Sequence, residues 1–114
     1  MTGLLGPRAE AEAAAYLERK GYAILERNYR LPFGEIDIVA REGGTVVFVE
    51  VKARSGAGFG GPEAAVDSRK RRKLLRAAAA WLQSRRWEGP ARFDVVAFEG
   101  SAVRHIPDAF GVGW

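Results

Sequence analysis

The chain has 114 residues, no Cys and one His, with 18 Lys+Arg against 14 Asp+Glu for a formal net charge of +4. That length suits a single domain spanning residues 1–114, and 47% hydrophobic with 28% charged residues excludes a disordered tail or a fibrous repeat. Disulfides, thiolate zinc sites, cysteine nucleophiles and a two-His zinc helix are excluded as well, and zero Cys fits a reducing cytosol. Residues 1–6 carry no basic-then-apolar leader and no apolar run reaches membrane-spanning length, so a cytoplasmic protein with no membrane partner is expected.

Residues 9–20, rich in Ala, Glu and Leu and stopped by Gly21, predict a first helix with Ala13, Tyr16 and Leu17 on its apolar stripe. Glu10 falls on the line of Ala13, Ala14 and Leu17, which turns an acid toward the core; Glu12 and Glu18 fall off it. Residues 22–30 predict a strand and residues 31–34 a turn. Residues 35–41 and 45–54 are the clearest strands, joined by Gly43-Gly44 as a two-residue hairpin turn. Asp67 or Ser68 caps a second helix running to about Arg86, with Leu74, Leu75, Ala78, Trp81 and Leu82 on its apolar side. Residues 92–98 and 102–106 predict two more strands around a turn at residues 99–101. The order αβββαββ is an α+β, sandwich-like domain with one mixed sheet flanked by helices.

Alternation along the strands places Glu50, Lys52 and Arg54 on one face and Val47, Val49 and Val51 on the other. On the neighbouring strand Glu35, Asp37 and Val39 share a face opposite Ile36, Ile38 and Ala40. With Gly43-Gly44 as the turn, paired residue numbers sum to 87, so Asp37 stands opposite Glu50 and Glu35 opposite Lys52. Opposed side chains have Cβ atoms roughly 5 Å apart. Two carboxylates at that spacing repel unless protonated, paired or bridged by a cation, and Mg²⁺ or Mn²⁺ is the natural bridge. A polar sheet face laced by cross-strand ion pairs accounts for the same spacing, and the two readings stay open on spacing alone.

Residues 69–86 hold eight basic and no acidic side chains, leaving ten basic and fourteen acidic elsewhere. Arg69, Arg72, Lys73 and Arg76 form one stripe opposite the Leu/Trp face. No acid within the helix offsets them at i,i+4, and nucleic-acid phosphates would. Lys70 belongs to the same basic run, and Arg30 and Arg54 either touch phosphates or neutralise Glu35. Phe33 and Phe59 stack on unpaired bases or anchor their loops. Gly56-x-Gly58-x-x-Gly61 matches the dinucleotide fingerprint by letter only, since it follows a hairpin strand and Glu63 would repel a pyrophosphate. A loop closing over a strand beside Glu50 and Lys52 is the better reading; Trp81 and Trp87 read as packing helix against sheet, and His105 as structural or solvent-facing. Trp114 at the tail stays undecided between packing and exposure.

Asp37, a hairpin, then Glu50-Val51-Lys52 resembles the PD-(D/E)XK nuclease superfamily of restriction-endonuclease-like fold. More closely, the chain resembles the YraN family, uncharacterised protein family 0102, of bacterial proteins. The matching segments are Gly6-x-x-x-Glu10 with Ala13 and Tyr16-Leu17, Asn28-Tyr29-Arg30, Gly34-Glu35-Ile36-Asp37 and Val47 through Arg54. They continue through Lys70 to Leu75, Arg92-Phe93-Asp94-Val95-Val96-Ala97 and Ile106-x-Asp108-Ala109-Phe110. Archaeal Holliday junction resolvases look similar in the N-terminal Glu, the Asp and the Glu-x-Lys.

The resemblance implies Asp37 and Glu50 as metal ligands joined by the Val51 carbonyl, Glu10 as a third acid, and Lys52 orienting or activating the attacking water. Ile36 stands where the superfamily's name has Pro. The expected function is a Mg²⁺- or Mn²⁺-dependent endonuclease for branched or single-stranded nucleic acid, DNA ahead of RNA, with room for a homodimer because two cuts need two sites. The alternative is a non-catalytic nucleic-acid-binding or partner-binding protein that keeps the nuclease fold.

Overall fold

The computed structural model describes residues 7–54 and 68–110. The glycine stretch with Phe59, the Asp67 cap, the Arg54 side chain and Trp114 lie outside the described residues. In chain order the elements are α1 (Pro7–Arg19), β1 (Ala23–Leu31), β2 (Gly34–Glu42), β3 (Thr45–Arg54), α2 (Ser68–Ser84), β4 (Ala91–Glu99) and β5 (Ala102–Phe110). The strands form one sheet in the order β1-β2-β3-β4-β5. Pairing is antiparallel except between β3 and β4, which run parallel. A parallel pair needs a long crossover, and the segment containing α2 supplies it.

Each helix covers one face. On α1, Ala9, Ala13, Ala14 and Leu17 pack with Ile38, Ala40, Val47, Val49, Val96 and Phe98. On α2, Leu74, Ala77, Ala78 and Trp81 pack with Val39, Val46, Phe48, Phe93 and Val95. The three inner strands are therefore buried on both sides, which is why β3 reads as the unbroken run Val46-Val47-Phe48-Val49. Each such side chain contributes about 1.5–3 kcal/mol on burial. Gly43 turns the β2–β3 hairpin at φ 59, and the observed pairs from Ile38↔Val49 to Glu42↔Thr45 keep the register that sums to 87.

Two strand expectations need correction. Ile36 packs with the α2-side cluster, not with Ile38 and Ala40 on the α1 side, so the alternation of β2 slips at Asp37. Strand β5 continues past Ile106 to Phe110. Pro107 looks like a stop in the sequence, yet β5 is an edge strand where a missing N–H can face outward.

The extension is held by a buried polar knot. Asp94 is 0% exposed and accepts from the Asp108 amide at 2.9 Å, from Arg92 Nε at 2.9 Å and from His105 Nε2 at 2.7 Å. Lys20 Nζ lies 3.1 Å from His105 Nδ1. An ammonium only donates, so Nδ1 is the acceptor and Nε2 carries the proton given to Asp94. Burial by itself would raise the Asp94 carboxyl, but these three donors outweigh it and hold it below the usual carboxylate range. His105 is structural, as its neighbours imply.

Candidate active site

The β2–β3 pairing ends at Ile38↔Val49. Beyond that step each strand stays with its outer neighbour, β2 with β1 to Leu31↔Gly34 and β3 with β4 to Arg54↔Glu99. The two strands therefore part, and the acids stand at the fork. Asp37 and Glu50 are buried, 8% and 6% exposed. The Val51 amide, which would have entered the ladder, donates instead to Asp37 Oδ2 at 2.8 Å.

The expected opposition of Glu35 and Lys52 does not occur, because pairing stops before it could form. Glu35 pairs in register with Arg30 on β1, and Arg30 Nε lies 3.9 Å from its carboxylate. Both side chains are mostly exposed, so this contact contributes little. Lys52 turns to Glu50 instead, with Nζ 3.5 Å from Oε2. Lys70 reaches the same oxygen from α2 at 2.6 Å.

Glu10 arrives from the other face of the sheet, at the start of α1. Its Oε1 is buried without a hydrogen-bond partner among the described residues. One carboxylate oxygen each of Glu10, Glu35 and Asp37 lies within 4.8 Å of the others. Sequence reasoning does not place Glu35 in this group. Its position two residues before Asp37 is a signal, but the expected ion pair with Lys52 masks it.

The electrostatics follow from the crowding. Burial first, and then the Glu50 carboxylate, push the Asp37 carboxyl up to about 8, with Glu10 adding to the rise and the Val51 amide opposing it. Burial and the neighbouring Lys70 ammonium lower Lys52. Lys70 is itself raised: burial works against its charge, and the Glu50 carboxylate outweighs it. An all-oxygen set of crowded carboxylates with an orphaned buried oxygen fits a hard divalent cation. Asp37, Glu50 and Glu10 could hold it, and Val51, whose amide meets Asp37, lines the same groove.

A groove of about 970 Å³ opens onto the fork, lined by Leu31 through Glu35, Asp37, Glu50, Val51, Lys52, Arg69, Lys70, Lys73, Leu74 and Arg76. Arg69, Arg72, Lys73 and Arg76 are exposed, as the helical stripe predicts, although Arg72 and Arg30 do not line the groove. Phe33, on the β1–β2 turn, lies beneath Arg76, whose guanidinium carbon is 4.4 Å from the ring centroid. A Cβ on Gly34 would meet the Lys73 carbonyl oxygen at 3.2 Å, so that turn sits close against α2. The groove thus has an acidic floor and a basic wall. No helix among the described residues is long and apolar enough to cross a membrane.

By overall shape the chain is similar to Hjc, a Holliday junction resolvase from the archaeal hyperthermophile Archaeoglobus fulgidus. The TM-score is 0.58 at 22% identity, covering 90% of this chain and 76% of that one. With the mixed sheet between two helices, this likeness places the domain in the restriction-endonuclease-like fold. Among relatives in sequence, a UPF0102 protein of Halorhodospira halophila is 53% identical over 92% of this chain and 85% of its own length. One from Geobacter metallireducens is 49% identical over 96% and 94%, and one from Moorella thermoacetica 57% identical over 81% and 78%. Residues 9–98 match the family model described as Uncharacterised protein family UPF0102, and the span takes in α2, all of α1 but its first two residues and both strands that part at the fork, so the chain belongs to that family.

Proposed function

We propose that the protein is a Mg²⁺- or Mn²⁺-dependent endonuclease that hydrolyses phosphodiester bonds in branched or single-stranded DNA. The observation that carries this reading is the meeting of Asp37, Glu50 and Lys52 at the fork, with Glu10 beside Asp37 and one of its oxygens buried without a partner among the described residues. The resolvase-like fold supports it, since the structural neighbour's name is that of a junction-cleaving enzyme. A cation held there would supply Lewis acidity, lowering the pKa of water and offsetting charge on the phosphate.

The chain's own groups supply the rest. Asp37, Glu50, Glu10 and the Val51 carbonyl would hold the cation. Lys52, with a lowered pKa, gives a hydrogen bond and positive charge to the scissile phosphate or its attacking water. Arg69, Lys73 and Arg76 along the wall, and Arg30 and Arg72 beyond it, hold the flanking backbone by phosphate contacts, a role the sequence also offers to Arg54. Single strands and branch points fit this groove because their backbone can bend toward a floor lying between a helix and a hairpin.

The non-catalytic alternative has one observation in its favour: Glu50 is already satisfied by two ammonium groups without any metal. A cleavage screen separates the readings. Purified protein is incubated with four-way junctions, flaps and single strands in Mg²⁺ or Mn²⁺, with Asp37→Asn as control. Metal-dependent cutting that the variant lacks supports the nuclease; tight binding with every substrate intact supports the binder.

A further inference from the structure

On α2 the buried residues are Leu74, Ala77, Ala78 and Trp81. Lys70 lies one turn before Leu74 on that same stripe, so it is a lysine at a core-facing position. Its neighbours Arg69, Arg72 and Lys73 are exposed, whereas Lys70 is only partly so and lies 2.6 Å from Glu50 Oε2. Lys52, the lysine of the nuclease-like motif, is farther from that oxygen at 3.5 Å. The stronger hold on Glu50 therefore comes from the helix.

A carboxylate engaged this closely by an ammonium is compensated, and a divalent cation at the same oxygen would meet a positive charge a few Å away. Lys70 also lines the groove between Arg69 and Lys73, where an approaching phosphate would offer it a second anionic partner. Resting on the reading of Asp37 and Glu50 as metal ligands, we infer that Lys70 is a built-in counter-cation: it holds Glu50 in the metal-free protein and leaves it for a backbone phosphate of the bound nucleic acid. Metal capture and nucleic-acid binding are thereby coupled. Such coupling is reciprocal: each ligand tightens the other by the same factor.

The test is calorimetric titration of the full chain with MnCl₂, alone and with a single-stranded phosphorothioate oligonucleotide that resists cleavage. Without oligonucleotide, Lys70→Met binds Mn²⁺ about tenfold more tightly than wild type, the effect of removing one competing charge. Lys70→Arg, which keeps the charge, stays near wild type and shows that the gain is not a folding artefact. With oligonucleotide, wild type tightens several-fold and Lys70→Met does not. Equal or weaker Mn²⁺ binding by Lys70→Met overturns the inference while leaving the metal site standing, provided Asp37→Asn abolishes binding. If wild type binds no Mn²⁺, or Asp37→Asn binds it equally well, the metal-site reading fails and this inference with it.

Discussion

The Val51 amide donates to Asp37 Oδ2 at 2.8 Å, one step past the last β2–β3 pair at Ile38↔Val49. A side chain has taken the place of a backbone carbonyl in the ladder. The substitution both opens the sheet and fixes one Asp37 oxygen, in a carboxyl that also feels the Glu50 and Glu10 charges.

Asp37→Asn should stabilise the metal-free protein. A carboxyl raised in the folded state contributes stability that is full below its unfolded value near 3.8 and lost as pH rises through about 8. Wild type without metal should thus lose on the order of 5 kcal/mol between about pH 4 and pH 8, and the variant should not. Urea unfolding across that range reads the difference. A wild-type curve as flat as the variant's would mean that the acids do not oppose one another.

Lys52→Ala should lower turnover about 10²–10³-fold without weakening Mn²⁺ binding, because it removes a donor to the reacting phosphate and not a ligand. Single-turnover rates beside calorimetric titrations separate the two effects. Loss of metal binding in this variant would assign Lys52 a structural part.

Glu10→Gln and Glu35→Gln test the cluster that reaches Asp37 from α1 and from β2. Each should weaken Mn²⁺ binding by roughly tenfold if its oxygen ligates, as charge-bearing oxygen ligands set affinity. An effect from Glu10→Gln alone would return Glu35 to its surface contact with Arg30.

Asp94→Asn should destabilise by about 3 kcal/mol at pH 7, since a buried carboxylate loses charge while His105 and Arg92 keep their donors. Because its folded pKa is depressed, the Asp94 contribution is present above the unfolded value and vanishes as pH falls through the folded one. The gap between variant and wild type should therefore close in strong acid, with Mn²⁺ affinity unchanged at neutral pH.

Replacing exposed Arg69 and Arg72 by Ala should weaken single-strand binding and reduce the log–log salt slope by about 0.7 for each phosphate no longer neutralised. Fluorescence anisotropy at several salt concentrations gives that slope. An unchanged slope would show that the basic face of α2 is merely solvated.

Most of the fold is legible in the sequence because its signals are local. The Gly43-Gly44 turn, the valine runs and the Leu74–Trp81 stripe each state their own conformation, and the hairpin register follows by counting. The end of β5 is hidden because Pro107 signals a stop only in a strand with partners on both sides. At the site, Asp37, Glu50 and Lys52 stand out as charges among valines. Glu35 and the inward turn of Lys70 do not, since their partners come from other elements.

The net charge of +4 shows the same division. From the sequence alone comes its separation into a cationic helix and an acidic remainder, because composition is additive along the chain. Where those charges meet depends on tertiary structure. Both helices place one charged residue at the end of an apolar stripe, Glu10 on α1 and Lys70 on α2, and the parting of β2 from β3 lets the two converge from opposite faces. Burial and proximity then decide which charge is crowded and which is matched, and those depend on distances between elements that no stretch of sequence contains.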